Sequence, residues 1–225
     1  MELSHQADIH WGLSLKKDGP MKSHISNRTA FLQRQGLSDK LVASANLAHG
    51  ARVAAVKKIT ASSIFPACDA LITQENNCIL TITVADCLPI YFYDTKQKVV
   101  ALAHAGWRGI VANLIPATIK AFIDNYHSRA SDIIVDVGPH IQACHFEIKK
   151  DIFGQFAADD LSTREGHVYA KLSAVVRKQL LALGVKPDNL KISSECTYCA
   201  SEKYFSCRRD RHQTLETMLA YIGLK

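Results

Sequence analysis

The stretch ILTITVADCLPIYFYDTKQKVVALAH, residues 79–104, decides how this chain folds. It contains three short runs of β-branched, aromatic and other apolar residues, 79–85, 90–93 and 98–104, each of strand length. The polar connection Asp94-Thr95-Lys96-Gln97 has the length of a hairpin loop, so the second and third runs are expected to lie antiparallel. Asp86 and Cys87 precede the second run and His104 closes the third. One hairpin would therefore gather a carboxylate, a thiol and an imidazole at its open end.

Beyond Gly106, apolar residues at 110, 111, 114, 115, 119, 122 and 123 recur with helical spacing and predict a helix over 110–126 despite Pro116. Arg108 and Gly109 would form its first turn, where unpaired amides favour an anion. A strand over 132–137 ends at Gly138-Pro139, and a short strand over 145–148 and a helix over 149–158 follow. An amphipathic helix over 170–183 stops at Gly184. A strand over 189–194 comes next, and the segment 213–222 suits either strand or helix. Upstream, strands are expected over 53–59 and 70–73, and a helix over 26–35 with Asn27 and Arg28 near its start. The rest of 1–44 reads as an irregular polar lead-in to a motif-bearing core over 45–222. This alternation predicts a mixed α/β layered fold, one domain over 1–225.

The chain has 225 residues, 48% of them hydrophobic, enough to bury a full core. Its 27 Lys and Arg give a net charge of +6 but are scattered, which suits a phosphate-bearing small molecule better than nucleic acid. No apolar run approaches a membrane span, and residues 1–17 lack the pattern of a secretory signal. A soluble chain without a membrane partner is expected. Seven cysteines, an odd number, argue against a disulfide framework and for a reducing cytoplasm.

His49, Cys87 and His104 form the leading functional candidate. Two imidazoles and a thiolate fill three corners of a zinc tetrahedron and leave the fourth open for water or substrate. Asp86 interrupts an apolar run, where a carboxylate is costly unless it pairs, orients a ligand or faces a cleft. Gly50, Gly106 and Gly109 permit close backbone approach nearby. The spacings match no short zinc signature, so the residues alone leave a metal site and an ordinary buried cysteine both open. Cys196-Thr197-Tyr198-Cys199 is half of a structural zinc site, a redox pair, or a plain pair of loop cysteines. With only Cys207 and His212 close in sequence, the loop reading is favoured. Arg208-Arg209 is a solvated turn or a fork for an anion. Gly138-Pro139-His140 with Cys144-His145 is a pocket wall or a turn.

Several motifs now stand together. They are His49-Gly50 with Val53, Cys68-Asp69-Ala70-Leu71-Ile72-Thr73, Ala85-Asp86-Cys87-Leu88-Pro89-Ile90, His104-Ala105-Gly106-Trp107-Arg108-Gly109, Gly138-Pro139 with Ile141 and Cys144, and Phe205-Ser206-Cys207-Arg208-Arg209-Asp210. Over 45–222 and in this order, the chain resembles the YfiH/YlmD-type laccase-domain proteins, also described as purine nucleoside phosphorylase-like enzymes. The resemblance implies a single-domain, mixed-sheet α/β fold of the YfiH type, likened to the catalytic domain of cytotoxic necrotizing factor toxins. It implies one zinc ion on His49, Cys87 and His104 as the catalytic centre. It also implies phosphorolysis of adenosine, inosine, guanosine and methylthioadenosine, with purine nucleoside and phosphate as partners, and deamination of adenosine. The chain departs from the family pattern at three places. His140 and Cys144-His145-Phe146-Glu147-Ile148 stand where Cys and Cys-Cys-Tyr-Glu-Val are frequent, Cys207 stands where Tyr is frequent, and the N-terminal third, which carries Arg28, is shorter and less typical than the family's, with its glycine-rich opening segment not matched.

Phosphorolysis needs cationic donors for phosphate, and Arg52, Arg108 and Arg209 are the candidates. Asp86 and His140 complete the expected substrate-binding set. Three alternatives compete. Copper oxidation of phenols, the family's older label, calls for many histidines including His-x-His pairs, which this sequence lacks. A cysteine hydrolase would use Cys87 activated by His104. A zinc-bearing cell-wall quality-control factor would do no chemistry.

Overall fold

The computed structural model describes residues 2–22, 24–210 and 215–225. Along the chain run β1 (Ile9–Leu13), α1 (Ile25–Arg34), β2 (Leu41–Ala45), β3 (Val53–Val56), β4 (Ser63–Phe65), β5 (Ala70–Thr73), β6 (Cys78–Val84), β7 (Leu88–Asp94) and β8 (Val99–Ala105). Then come α2 (Trp107–Val111), α3 (Leu114–Tyr126), β9 (Ile133–Val137), β10 (Glu147–Ile148), β11 (Leu161–Arg164), β12 (His167–Ala170), α4 (Leu172–Ala182), β13 (Leu190–Ile192) and β14 (Met218–Leu224).

The expected hairpin is the centre of the molecule. β7 and β8 pair antiparallel with Pro89 opposite His104 and Leu88 opposite Ala105. They lie inside a six-stranded sheet of order β13-β9-β7-β8-β5-β3. Side chains alternate across a strand, and β7 uses both faces. Leu88, Ile90 and Phe92 pack with Ile115, Ile119 and Phe122 of α3 and Val176 and Leu180 of α4. Tyr91 and Tyr93 face the other way, with Val100 and Leu102, toward Leu80, Ile82, Met218, Ala220 and Ile222. Those last residues belong to a five-stranded sheet of order β1-β14-β6-β2-β4. α1 covers its outer face through Phe31 and Leu32 against Ile79, Leu219 and Tyr221. The result is two stacked sheets between helical layers, a mixed α/β fold. A strand buried on both faces shows no polar alternation, which is why residues 79–104 read as nearly continuous apolar runs.

The structure corrects several expectations. Residues 1–44 are not an irregular lead-in: β1 pairs with β14 from the far end of the chain, and β2 pairs parallel with β6. Such pairings leave no local pattern. The helix over 110–126 is two helices, because Asn113 takes a left-handed conformation (φ 68°) between α2 and α3. Pro116 then falls in the first turn of α3, where a missing N–H breaks no bond. The helix over 149–158 is replaced by 3-10 turns at Lys150–Gln155 and Ala158–Asp160, followed by the unforeseen β11–β12 hairpin. The ambiguous 213–222 segment resolves as β14, with residues 213 and 214 outside the described residues. Among the described residues, no helix is long and apolar enough to cross a membrane.

Candidate active site

The hairpin brings Cys87, at the entry to β7, beside His104 near the end of β8. His49, in the loop between β2 and β3, completes the trio, and its ligand atom, Cys87 Sγ and one nitrogen of His104 lie within 4.8 Å of one another. The two imidazole rings meet edge to face at 4.9 Å.

Two backbone devices hold this geometry. His49 (φ 57°) and Asp86 (φ 81°) both take left-handed conformations, uncommon for residues with side chains and concentrated at functional sites. The strain at His49 is offset by the buried Asp69, whose Oδ1 accepts from His49 N at 2.8 Å and whose Oδ2 accepts from Gly50 N at 2.7 Å. Asp69 O also accepts from His104 N at 2.7 Å. Glycine supplies the second device. A methyl group on residue 106 would stand 3.0 Å from Cys87 Sγ and 3.5 Å from His49 Nδ1, and one on residue 109 only 2.8 Å from Gly50 O.

The trio is electrostatically coupled. Burial pushes the Cys87 thiol up, but the charge of His104 and hydrogen bonds with both histidines outweigh it and bring its pKa down to about 7. Burial pushes His104 down, while the Cys87 charge and the nearby Asp69 carboxylate raise it to about 9. His104 Nδ1 stands 3.4 Å from Asp69 Oδ1, a charge contact without hydrogen-bond alignment. Zinc requires a thiolate and neutral imidazoles; the pair already favours the thiolate, and a bound metal would take the place of the proton that the raised pKa holds on His104.

The trio lies at a cleft of about 410 Å³, a volume suited to a small-molecule ligand. Asn46, Thr83, Cys207, Leu215 and Thr217 contribute to its lining, and Lys22 and Arg28 supply its positive charge. Arg28, at the start of α1, is held to backbone carbonyls: Nε donates to Met21 O at 2.5 Å and Nη2 to Lys22 O at 2.7 Å.

The residues expected to bind substrate lie elsewhere, and none of Arg52, Asp86, Arg108, His140 and Arg209 lines the cleft. Arg52 donates to Pro66 O, and Arg108 stacks on Trp107 at 4.6 Å. Arg209 spends its donors on Thr197 O, Tyr198 O, Tyr204 O and the carboxylate of Asp210. Asp86 accepts from Thr197 Oγ1 at 2.6 Å and from Arg208 N at 2.7 Å. It braces the segment before Cys87. His140 is wholly buried, with Nδ1 against Gly138 O, and burial lowers its pKa to about 4. It is a neutral core side chain. Sequence reasoning missed Arg28 and Lys22 as cleft residues and Asp69 as the brace, although Asp69 stood within a quoted motif as a carboxylate among apolar residues.

Cys196 and Cys199, read as loop cysteines, do not stand alone. Cys144 and His145 lie beside them, and the ligand atoms of the four lie within 4.8 Å of one another, a group that could hold a metal ion. His212 lies outside the described residues.

The fold and site define a mixed α/β protein with an open, metal-capable Cys/His cluster at a small-molecule cleft. Residues 11–225 match the family described as multi-copper polyphenol oxidoreductase laccase, and the chain belongs to this YfiH/YlmD family. It is 36% identical over 166 residues to the purine nucleoside phosphorylase YlmD of Geobacillus stearothermophilus, covering 70% of this chain and 60% of that protein. A purine nucleoside phosphorylase of Bacteroides thetaiotaomicron is 33% identical over 149 residues, covering 63% and 55%. The chain thus spans less than two thirds of the length of these curated relatives. The crystal structure of Bacillus licheniformis hypothetical protein YfiH superposes with a TM-score of 0.89 at 27% identity, covering 96% of this chain and 93% of that one. The structure of YlmD from G. stearothermophilus gives 0.88 at 28%, covering 97% and 93%.

Proposed function

We propose that this chain is a zinc-dependent, cytoplasmic purine nucleoside phosphorylase acting on adenosine, inosine, guanosine and methylthioadenosine, with adenosine deaminase activity. The observation that carries the reading is the three-residue cluster opening on a cleft with two cations on its wall. Relatives named purine nucleoside phosphorylase support it.

The donor set fits zinc. One thiolate and two imidazoles converge, and Gly106 keeps the space beside Cys87 Sγ and His49 Nδ1 free of a side chain. When bound, zinc supplies Lewis-acid assistance at the purine and a water of lowered pKa for deamination. His49, Cys87 and His104 would hold it, and Asp69 orients both histidine segments. Lys22 and Arg28 are assigned to phosphate, in place of Arg52, Arg108 and Arg209. Arg28 suits the role because its guanidinium is fixed in advance, so little order is lost when it pairs with an anion. A set of three ligands with no His-x-His pair cannot assemble a multicopper centre, which disfavours phenol oxidation.

The test is base release from a nucleoside panel with and without phosphate, beside a metal analysis. Phosphate-dependent release of hypoxanthine from inosine and ammonia from adenosine, both lost in Cys87→Ala, is expected. No base release across the panel would overturn the reading in favour of a binding protein. Inactivation by thiol alkylation but not by chelation would make Cys87, beside His104, a nucleophile instead.

A further inference from the structure

Four side chains on two loops outside the cleft converge without any role in the activity proposed above. Cys144 and His145 precede β10, while Cys196 and Cys199 follow β13, and Cys144 and Cys199 are 55 residues apart in sequence. Cys144 Sγ stands 3.7 Å from Cys199 Sγ, and His145 Nδ1 stands 3.2 Å from Cys144 Sγ and 3.3 Å from Cys199 Sγ. We propose that Cys144, His145, Cys196 and Cys199 form a second, closed zinc site that clips these two loops together.

The distances suit this metal. With Zn–S of about 2.3 Å and Zn–N of about 2.0 Å, tetrahedral edges are about 3.8 Å between sulfurs and about 3.5 Å between sulfur and nitrogen. A disulfide would need the sulfurs at about 2.05 Å. Three soft thiolates and one imidazole select zinc over hard cations, and four protein ligands leave no open position. The site is therefore structural, unlike the trio.

The surroundings are built for it. Gln142 N donates to Cys196 Sγ at 3.4 Å, and the His145 ring stacks on Tyr198 at 3.9 Å, which fixes its orientation. Three thiolates and one dication carry a net negative charge, and two guanidinium groups stand beside them. Arg164 Nη2 donates to Ala143 O and Cys144 O, and Arg208 Nη1 to His145 O and Glu147 O. Thr197, inside the Cys-x-x-Cys turn, donates to Asp86, the residue before Cys87. The clip thereby fixes the entry to β7 at the active site.

The experiment separates this site from the trio. Cys87→Ala, purified without chelator, should retain one zinc per chain, and adding Cys196→Ser and Cys199→Ser should remove it. Cobalt loaded into Cys87→Ala should show intense tetrahedral d–d bands and thiolate charge transfer, a readout that survives if the triple variant fails to fold. A zinc-free Cys87→Ala protein that takes up no cobalt overturns the proposal. So does recovery of Cys144 and Cys199 as a disulfide, which would make them a redox pair. Failure of the trio to bind zinc would leave the count in Cys87→Ala unchanged.

Discussion

Asp69 holds His49 in its left-handed conformation, with Oδ1 accepting from His49 N at 2.8 Å. The same carboxylate accepts from Gly50 N, and its backbone carbonyl accepts from His104 N. One residue thus sets both imidazoles. Asp69→Asn replaces an acceptor with an NH2 donor facing a backbone N–H. Zinc affinity at the trio should fall about 10- to 100-fold, the usual cost of losing an outer-shell partner. Competition with a chromophoric chelator measures it, and an unchanged affinity would remove Asp69 from the site's support.

Gly106→Ala tests the space beside the sulfur. Its methyl group would come within 3.0 Å of Cys87 Sγ, closer than comfortable packing allows, so the thiol must move. Zinc at the trio should be weakened and phosphorolysis reduced, with a small change in Tm. The control is Gly154→Ala, which meets nothing within 4 Å and should leave all three unchanged.

The difference between what was legible and what was not follows from how far the interacting residues lie apart. The β7–β8 hairpin announced itself because its strands and loop are contiguous, and it carried Cys87 and His104 with it. β1 and β2 were illegible because their partners, β14 and β6, lie far along the chain. The same separation hid Cys144-His145 as the partner of Cys196 and Cys199. Arginines were misread for another reason. Charge alone marked Arg209 as an anion fork, but its guanidinium is consumed by carbonyls and Asp210, whereas Arg28, near the start of the helix expected over 26–35, reaches the cleft.

Arg28 and Arg209 should therefore fail differently. Arg28→Ala removes a charge from the cleft wall, and losing a charge-assisted hydrogen bond of about 1.5–3 kcal/mol should raise KM for phosphate about tenfold or more, while the loss of its bonds to Met21 O and Lys22 O should cost less stability than Arg209→Ala does. Arg209→Ala strips partners from three carbonyls and a carboxylate and should lower stability by about 2–4 kcal/mol. Steady-state kinetics beside thermal melts decide between them. A phosphate KM that responds to Arg209 with Tm unchanged would restore the expectation from sequence.

Asp136 supplies a pH-dependent term in stability. It lies in β9 opposite Tyr91 and is 7% exposed. Burial raises its pKa to about 6, only partly opposed by Lys191, whose ammonium is engaged with Glu2 at 2.9 Å. A carboxyl whose folded pKa exceeds its unfolded value, about 3.9, favours the native state when protonated. That contribution is full below about pH 4 and is lost as pH rises through about 6. Asp136→Asn keeps the shape of the protonated acid and cannot ionise. The variant should match the parent in urea denaturation near pH 3 and exceed it by about 1–3 kcal/mol at pH 8. Equal differences at both pH values would show that Asp136 ionises without cost in the fold.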